Sequence, residues 1–200
     1  MLDKNYEQIS NNDWTCIREE FSKKNLNVIL CSEPFLKAKF LNEVINSNSY
    51  QVIFLDFDLL YSGYIISKMV KENDMVEIYR PTKKGWIANF CEIAKKISNK
   101  KFMVVIDSLN GFYNILDEKE SGRLINASLM LLASIGRESD SSILISAIVR
   151  KNECGEWILS PGGRHIINSK KSGSFYLQRI NNDLTISSLN QVGIIEKNQK

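Results

Sequence analysis

Five Val- and Ile-rich runs, at 27–32, 51–57, 75–79, 102–107 and 142–149, recur along the first three quarters of the chain. Their hydrophobicity is nearly continuous, as in strands of a parallel sheet covered on both faces. Helical patterns fill the intervals at 36–47, 60–72, 84–98 and 120–137. Within 84–98, Trp86, Phe90, Ile93, Ala94 and Ile97 recur with the helical period. The 120–137 segment carries Leu124, Ile125, Leu129, Met130, Leu131 and Leu132 nearly all round, which predicts burial on most faces. Such alternation restricts the chain to an α/β fold with right-handed crossovers and helices on both faces of a mainly parallel sheet. A short amphipathic helix around Trp14, Ile17 and Phe21 precedes the first strand.

The last quarter changes character. Segments 156–160, 164–168, 174–180 and 183–189 are short, with turn chemistry between them at Pro161-Gly162-Gly163, Ser172-Gly173 and Asn181-Asn182-Asp183. They read as antiparallel strands arranged in hairpins. Two hundred residues suit one domain. We place a helical extension at 1–24, the domain at 25–195 and a frayed tail at 196–200. A net charge of +3 permits a nucleic-acid partner without demanding one. The four cysteines form no C-x-x-C pair and His165 is the only histidine, so no metal site is expected. The cysteines read as reduced thiols of a cytoplasmic protein. No apolar run approaches the roughly 18–20 residues of a membrane span.

Between the first strand and the helix after it lies Cys31-Ser-Glu-Pro-Phe-Leu-Lys-Ala38. A phosphate loop of the form G-x-x-x-x-G-K-[ST] would occupy this place. Lys37 alone matches. Cys31 and Leu36 replace the glycines that let backbone N–H groups close around an anion, and Ala38 replaces the hydroxyl that holds magnesium. Pro34 removes a further donor.

The order of motifs resembles the RecA-like ATPase core, specifically the archaeal RadA/RadB and KaiC-like branch. The 31–38 segment looks like that branch's G-P-E-x-x-G-K-[ST] loop, with Glu33 at its glutamate. Phe54-Leu-Asp-Phe-Asp58 is similar to Y-I-D-T-E, which sets Asp58 at the water-activating glutamate. Met103-Val-Val-Ile-Asp107 resembles the Walker B strand, with Asp107 as its acid, and Pro161-Gly-Gly163 is similar to a P-x-G-G segment. The resemblance implies a minimal RecA-like fold with C-terminal antiparallel strands. It also implies a vestigial nucleotide site built from Glu33, Lys37 and Asp107, with ATP and magnesium as ligands if the site is retained. The polar residue that senses the γ-phosphate would fall near Ala147-Ile148, both apolar.

Each of these residues also has a plainer reading. Lys37 is either a phosphate-binding point charge or a solvated residue on the first helical turn, where its removal would leave stability unchanged. Asp107 is either the metal-holding acid or a carboxylate bonding the Asn110-Gly111 turn. Asp58 is either catalytic or a cap for the helix beginning near Leu59. Lysines at 83–84, 95–96 and 100–101 read as a solvated face. Arg150, Lys151, Lys170 and Lys171 adjoin loops the family uses on DNA, with Trp157 and Tyr176 as aromatic neighbours. Arg164 and Arg179 are candidates for a cation offered to a neighbouring subunit, or else cover the sheet with their stems. Loss of ATPase activity is expected, with a RecA-like partner in a homo- or hetero-oligomer and DNA or tRNA as client. The implied function is an accessory role in DNA recombination or repair. The alternatives are a scaffold resembling the Elongator accessory proteins and a KaiC-like regulator that still binds nucleotide.

Overall fold

The computed structural model describes residues 8–9, 14–116, 121–160, 172–180 and 183–189. The strands are β1 (Gln8–Ile9), β2 (Leu26–Cys31), β3 (Val52–Asp56), β4 (Val76–Tyr79), β5 (Met103–Asp107), β6 (Ser142–Lys151), β7 (Trp157–Leu159), β8 (Gly173–Ile180) and β9 (Asp183–Ser188). The helices are α1 (Trp14–Ser22), α2 (Pro34–Asn46), α3 (Leu60–Ile66), α4 (Trp86–Asn99), α5 (Leu109–Leu116) and α6 (Ser121–Glu138). The sheet runs β1-β9-β8-β2-β6-β5-β3-β4, with β7 paired to β6. From β8 to β4 every pairing is parallel. β7 on β6, β8 with β9, and β9 with β1 are antiparallel. The fold class is therefore α/β, a mainly parallel sheet with flanking helices and antiparallel C-terminal strands. β8 in addition runs parallel along β2.

Burial follows the two faces of the strands. Val28, Leu30, Val104, Ile106, Ile143 and Ile145 pack beneath α4, α5 and α6. Ile29, Phe54, Val105, Leu144 and Phe175 pack beneath α1, α2 and α3. Ile17 and Phe21 of α1 belong to this second core. The alternation along β2 (Val28 to one side, Ile29 to the other) is the period of a strand with helices above and below.

Three elements differ from the sequence expectation. α3 stops at Ile66, short of 72, and is bounded by left-handed residues at Leu59 (φ 57°) and Lys68 (φ 59°). Helix α5 stands where Asn110-Gly111 suggests a turn. The glycine is there for close packing instead: a Cβ at Gly111 would lie 2.8 Å from the Phe57 Cβ and against Asp58 Oδ1. Helix α6 buries only its inward arc, Ile125, Leu129, Leu132 and Ala133. Leu124, Met130 and Leu131 are 40, 45 and 58% exposed, so the expected burial on most faces is not met within one chain.

Candidate functional site

The carboxyl-terminal edge of β2, β3, β5 and β6 is where open α/β sheets receive ligands. Here the β2–α2 connection is only Ser32 and Glu33, and α2 starts at Pro34. Proline suits a first helical turn, because its missing N–H would be unpaired there anyway. Lys37 is therefore already helical, and its amide donates to the Glu33 carbonyl at 3.1 Å. The Glu33 amide donates to Cys31 Sγ at 3.3 Å. Leu36, Ala38 and Cys31 are buried in the core under α2. Burial pushes the Cys31 thiol up. The Glu33 and Lys37 amides are bonded within the turn, and a helical turn fills the space of the loop. The Glu33 side chain points to solvent.

Lys37 is not the solvated residue of the plainer reading: it is 1% exposed. Its Nζ lies 2.5 Å from Asp107 Oδ1 and 3.1 Å from Asp58 Oδ2. Ser146 Oγ donates to the same Asp107 oxygen. Asp107 Oδ2 is buried with no hydrogen-bond partner. Neither carboxylate takes the local role considered above. The turn after β5 is bonded by Ser108, whose Oγ accepts the Gly111 amide at 3.3 Å. The α3 terminus is held by Asp56, whose Oδ2 accepts the Ser62 amide at 2.7 Å. The Asp107 carbonyl accepts the Phe57 amide at 2.7 Å and the Asp58 amide at 3.3 Å, which sets Asp58 beside Lys37.

Desolvation works against the charged amine, but the charges of Asp107 and then Asp58, with their hydrogen bonds, outweigh it and leave Lys37 above its ordinary value. Burial pushes the Asp107 carboxyl up, opposed by Lys37 and Ser146. The state consistent with the 2.5 Å contact between Lys37 and Asp107 is an ammonium shared by two carboxylates.

Sequence reasoning missed Ser146, Asp56 and Asn110. Ser146 precedes the Ala147-Ile148 pair, where the resemblance asks for a polar residue, and it is spent on Asp107. Asn110 spans three segments: its Nδ2 donates to Ile148 and Ser160 carbonyls at 2.9 and 2.8 Å, and its Oδ1 accepts the Ile148 amide at 2.8 Å. Arg80 Nε donates to Ser62 Oγ at 2.9 Å. The lysine clusters are not uniformly solvated either. Lys96 Nζ bonds Tyr79 and lies 2.5 Å from Glu77 and 3.1 Å from Glu92.

Arg150 and Lys151 are exposed at the end of β6. Lys151 Nζ lies 5.1 Å from the Trp157 ring centroid, and Trp157 stacks on Tyr176 at 4.3 Å. These aromatics engage each other and a lysine of the same chain. Arg179 is exposed near the end of β8. Arg164, His165, Lys170, Lys171, the 161–163 turn and the 164–168 strand lie outside the described residues. Among the described residues no group of three His, Cys, Asp or Glu side chains is arranged to hold a metal ion. No helix there is long and apolar enough to cross a membrane.

No family model matches the sequence, and no curated protein does. Among solved structures the chain is similar to one described as an ATPase domain, with a TM-score of 0.49 and 12% identity over 78% of this chain and 70% of that one.

Removing one partner from a buried ion cluster leaves an uncompensated charge, at about 3–5 kcal/mol. Lys37→Ala is expected to lose that much in urea denaturation at neutral pH, contrary to the expectation for a solvated lysine. Adding Asp107→Asn to Lys37→Met should recover most of the loss. An unchanged midpoint in Lys37→Ala would refute the buried triad.

Tyr61, 2% exposed and stacked on Phe54 at 4.3 Å, is pushed up to about 12 from 10.0 by burial and then by Asp56. The folded state thus holds this proton more tightly than the unfolded chain. Its contribution is complete below about pH 10 and is lost as pH rises through about 12, roughly 2–3 kcal/mol in all. Lys37, also raised, adds to the same alkaline fall. Urea melts from about pH 8 to about 12 should therefore show a steep decline that Tyr61→Phe flattens without abolishing.

Proposed function

We propose that this chain is a RecA-family paralogue of the RadA/RadB and KaiC-like branch that no longer cycles ATP. It acts in the cytoplasm as an accessory factor in DNA recombination or repair, assembled with another RecA-like protein. The observation that carries this reading is Lys37. Its ammonium is neutralised by Asp107 and Asp58 behind a helix that begins three residues before it. A nucleotide phosphate would have to displace two carboxylates from one amine, in a turn where a helix replaces the open loop. Asp58, which would activate water, and Asp107, which would hold magnesium, are both committed to that amine. Catalysis of phosphoryl transfer rests on positioned charges, and these charges are positioned on each other. The same occupancy disfavours a KaiC-like regulator that binds nucleotide.

The DNA role rests on the exposed pair Arg150 and Lys151 at the end of β6, together with Lys170 and Lys171. Arg179, exposed near the end of β8, and Arg164 remain the cations proposed to act on a partner's site. A scaffold bound to tRNA, as in the Elongator accessory proteins, is the competing outcome of the binding tests.

Calorimetric titration with Mg-ATP tests the first half. We expect no turnover and a dissociation constant weaker than roughly millimolar, about 4 kcal/mol of binding. A micromolar constant would sink the pseudo-ATPase reading.

Single-stranded DNA titrations across salt test the second half. Binding should be sequence-independent, with about 0.7 in the log–log salt slope for each phosphate contacted. Arg150→Glu with Lys151→Glu should lower the slope by roughly 1.4. Preference for tRNA, or no binding at low salt, would overturn the DNA assignment.

A further inference from the structure

At the end of the parallel strands opposite Lys37, the chain encloses a cavity of about 220 Å³. It lies between the last turns of α1 and α2 and the starts of β5 and β6. Phe21, Val44, Met103 and Leu144 give it apolar walls. Tyr50 reaches it from the connection before β3, and Ser142 from the first position of β6. The hydroxyls of these two residues meet at 3.2 Å.

The lining restricts what such a cavity can hold. Among the described residues no charged side chain lines it. An ion taken into it from water would go unpaired. The carboxyl ends of α1 and α2, with their partial negative charge, oppose an anion further. The occupant is therefore uncharged. Its polar contact is equally restricted. Asn27 lines the wall, but its Nδ2 is spent on the Phe21 and Lys24 carbonyls, each at 2.9 Å. Its unpaired Oδ1 is turned toward Gly173 of β8. Ser47 Oγ is spent on the Val44 carbonyl at 3.0 Å. The Tyr50–Ser142 pair differs: one hydroxyl gives its hydrogen to the other, and the second hydrogen has no acceptor among the described residues. Tyr50 is held in place for this, because Asn48 Nδ2 donates to its carbonyl and Lys101 Nζ lies 5.1 Å from its ring centroid. The volume sets the size. It exceeds the roughly 150 Å³ of an apolar cavity that takes benzene, so a ring with a short substituent, or a fused pair of rings, fits.

We propose that this cavity is a binding site for a small uncharged ring compound bearing one hydroxyl or carbonyl oxygen. The ring packs on Phe21, Val44, Met103 and Leu144, and the oxygen bonds the Tyr50–Ser142 pair. The site lies at the far end of the strands from Lys37 and does not depend on what the carboxyl-terminal edge does.

Titration of the full chain with phenol, followed through amide chemical shifts, tests this, with circular dichroism confirming that each variant is folded. Phenol should saturate with a Kd of roughly 1 mM or tighter, shifting amides in 17–22, 44–50 and 142–144. Benzoate, the same ring with a charge, should bind at least about tenfold more weakly. Removing both hydroxyls, in Tyr50→Phe combined with Ser142→Ala, should weaken phenol about fivefold and leave toluene, which has no oxygen, within about twofold. Val44→Phe, which fills the cavity, should abolish binding of both. Where that variant does not fold, the split between phenol and toluene decides alone. A titration that does not saturate, or shifts confined to other segments, overturns the proposal. So does benzoate binding as tightly as phenol, or a double variant that changes phenol and toluene alike.

Discussion

The contact on which the carboxyl-terminal edge depends is the buried ammonium of Lys37. A lysine 1% exposed must be paired or lose its charge. The pairing reaches three strands: Asp107 ends β5, Asp58 follows β3, and Ser146 on β6 donates to the carboxylate that Lys37 also binds. α2 is thereby pinned over the sheet by one polar knot within an otherwise apolar layer. Replacing such clusters with hydrophobic side chains is often neutral or stabilising, so the knot's contribution is positional. It fixes how far along the sheet α2 can slide, because a shift that keeps the apolar contacts would still separate the charges.

The knot is supported from outside. The Asp107 carbonyl receives two amides from the residues after β3, which aims Asp58. Gly111 leaves the room Asp58 occupies. Asn110, beside it, closes the end of β6 and the Ser160 turn. Phe57 and Phe112 stack at 4.5 Å directly beneath. A ligand entering this edge would have to disturb several bonded groups at once.

The sheet is legible in the sequence because parallel strands buried on both faces read as unbroken apolar runs, and five such runs stand out. The site is half legible. Lys37, Asp58 and Asp107 stand out because a motif places them, but no motif says that they bind each other. That depends on α2 starting at Pro34, which the proline signals, and on register across β5 and β6, which no local pattern carries. Ser146 and Asp56 are invisible for that reason: each sits in an apolar strand and is polar only to satisfy a neighbour elsewhere in the fold. α5 escapes the pattern because Asn110-Gly111 suggests conformational freedom, when the use of the glycine is its missing side chain. For α6 the apolar pattern is plain, and the step from pattern to burial fails because only the arc of Ile125, Leu129, Leu132 and Ala133 meets the core.

Exposed large apolar residues outside α6 concentrate near the filled loop: Phe35, Leu59, Ile66 and Met69 are 55, 56, 79 and 63% exposed, and Phe35 meets Tyr64 edge to face. Both regions expose more hydrophobic surface than scattered single residues would, but they differ in charge. Exposed Lys39, Lys68 and Lys71 lie in the same segments as the loop-side residues. On α6 the exposed apolar residues are flanked by Arg123 and Arg137 on one row and by Glu138 on the other. Hydrophobic area alone does not choose between the two surfaces.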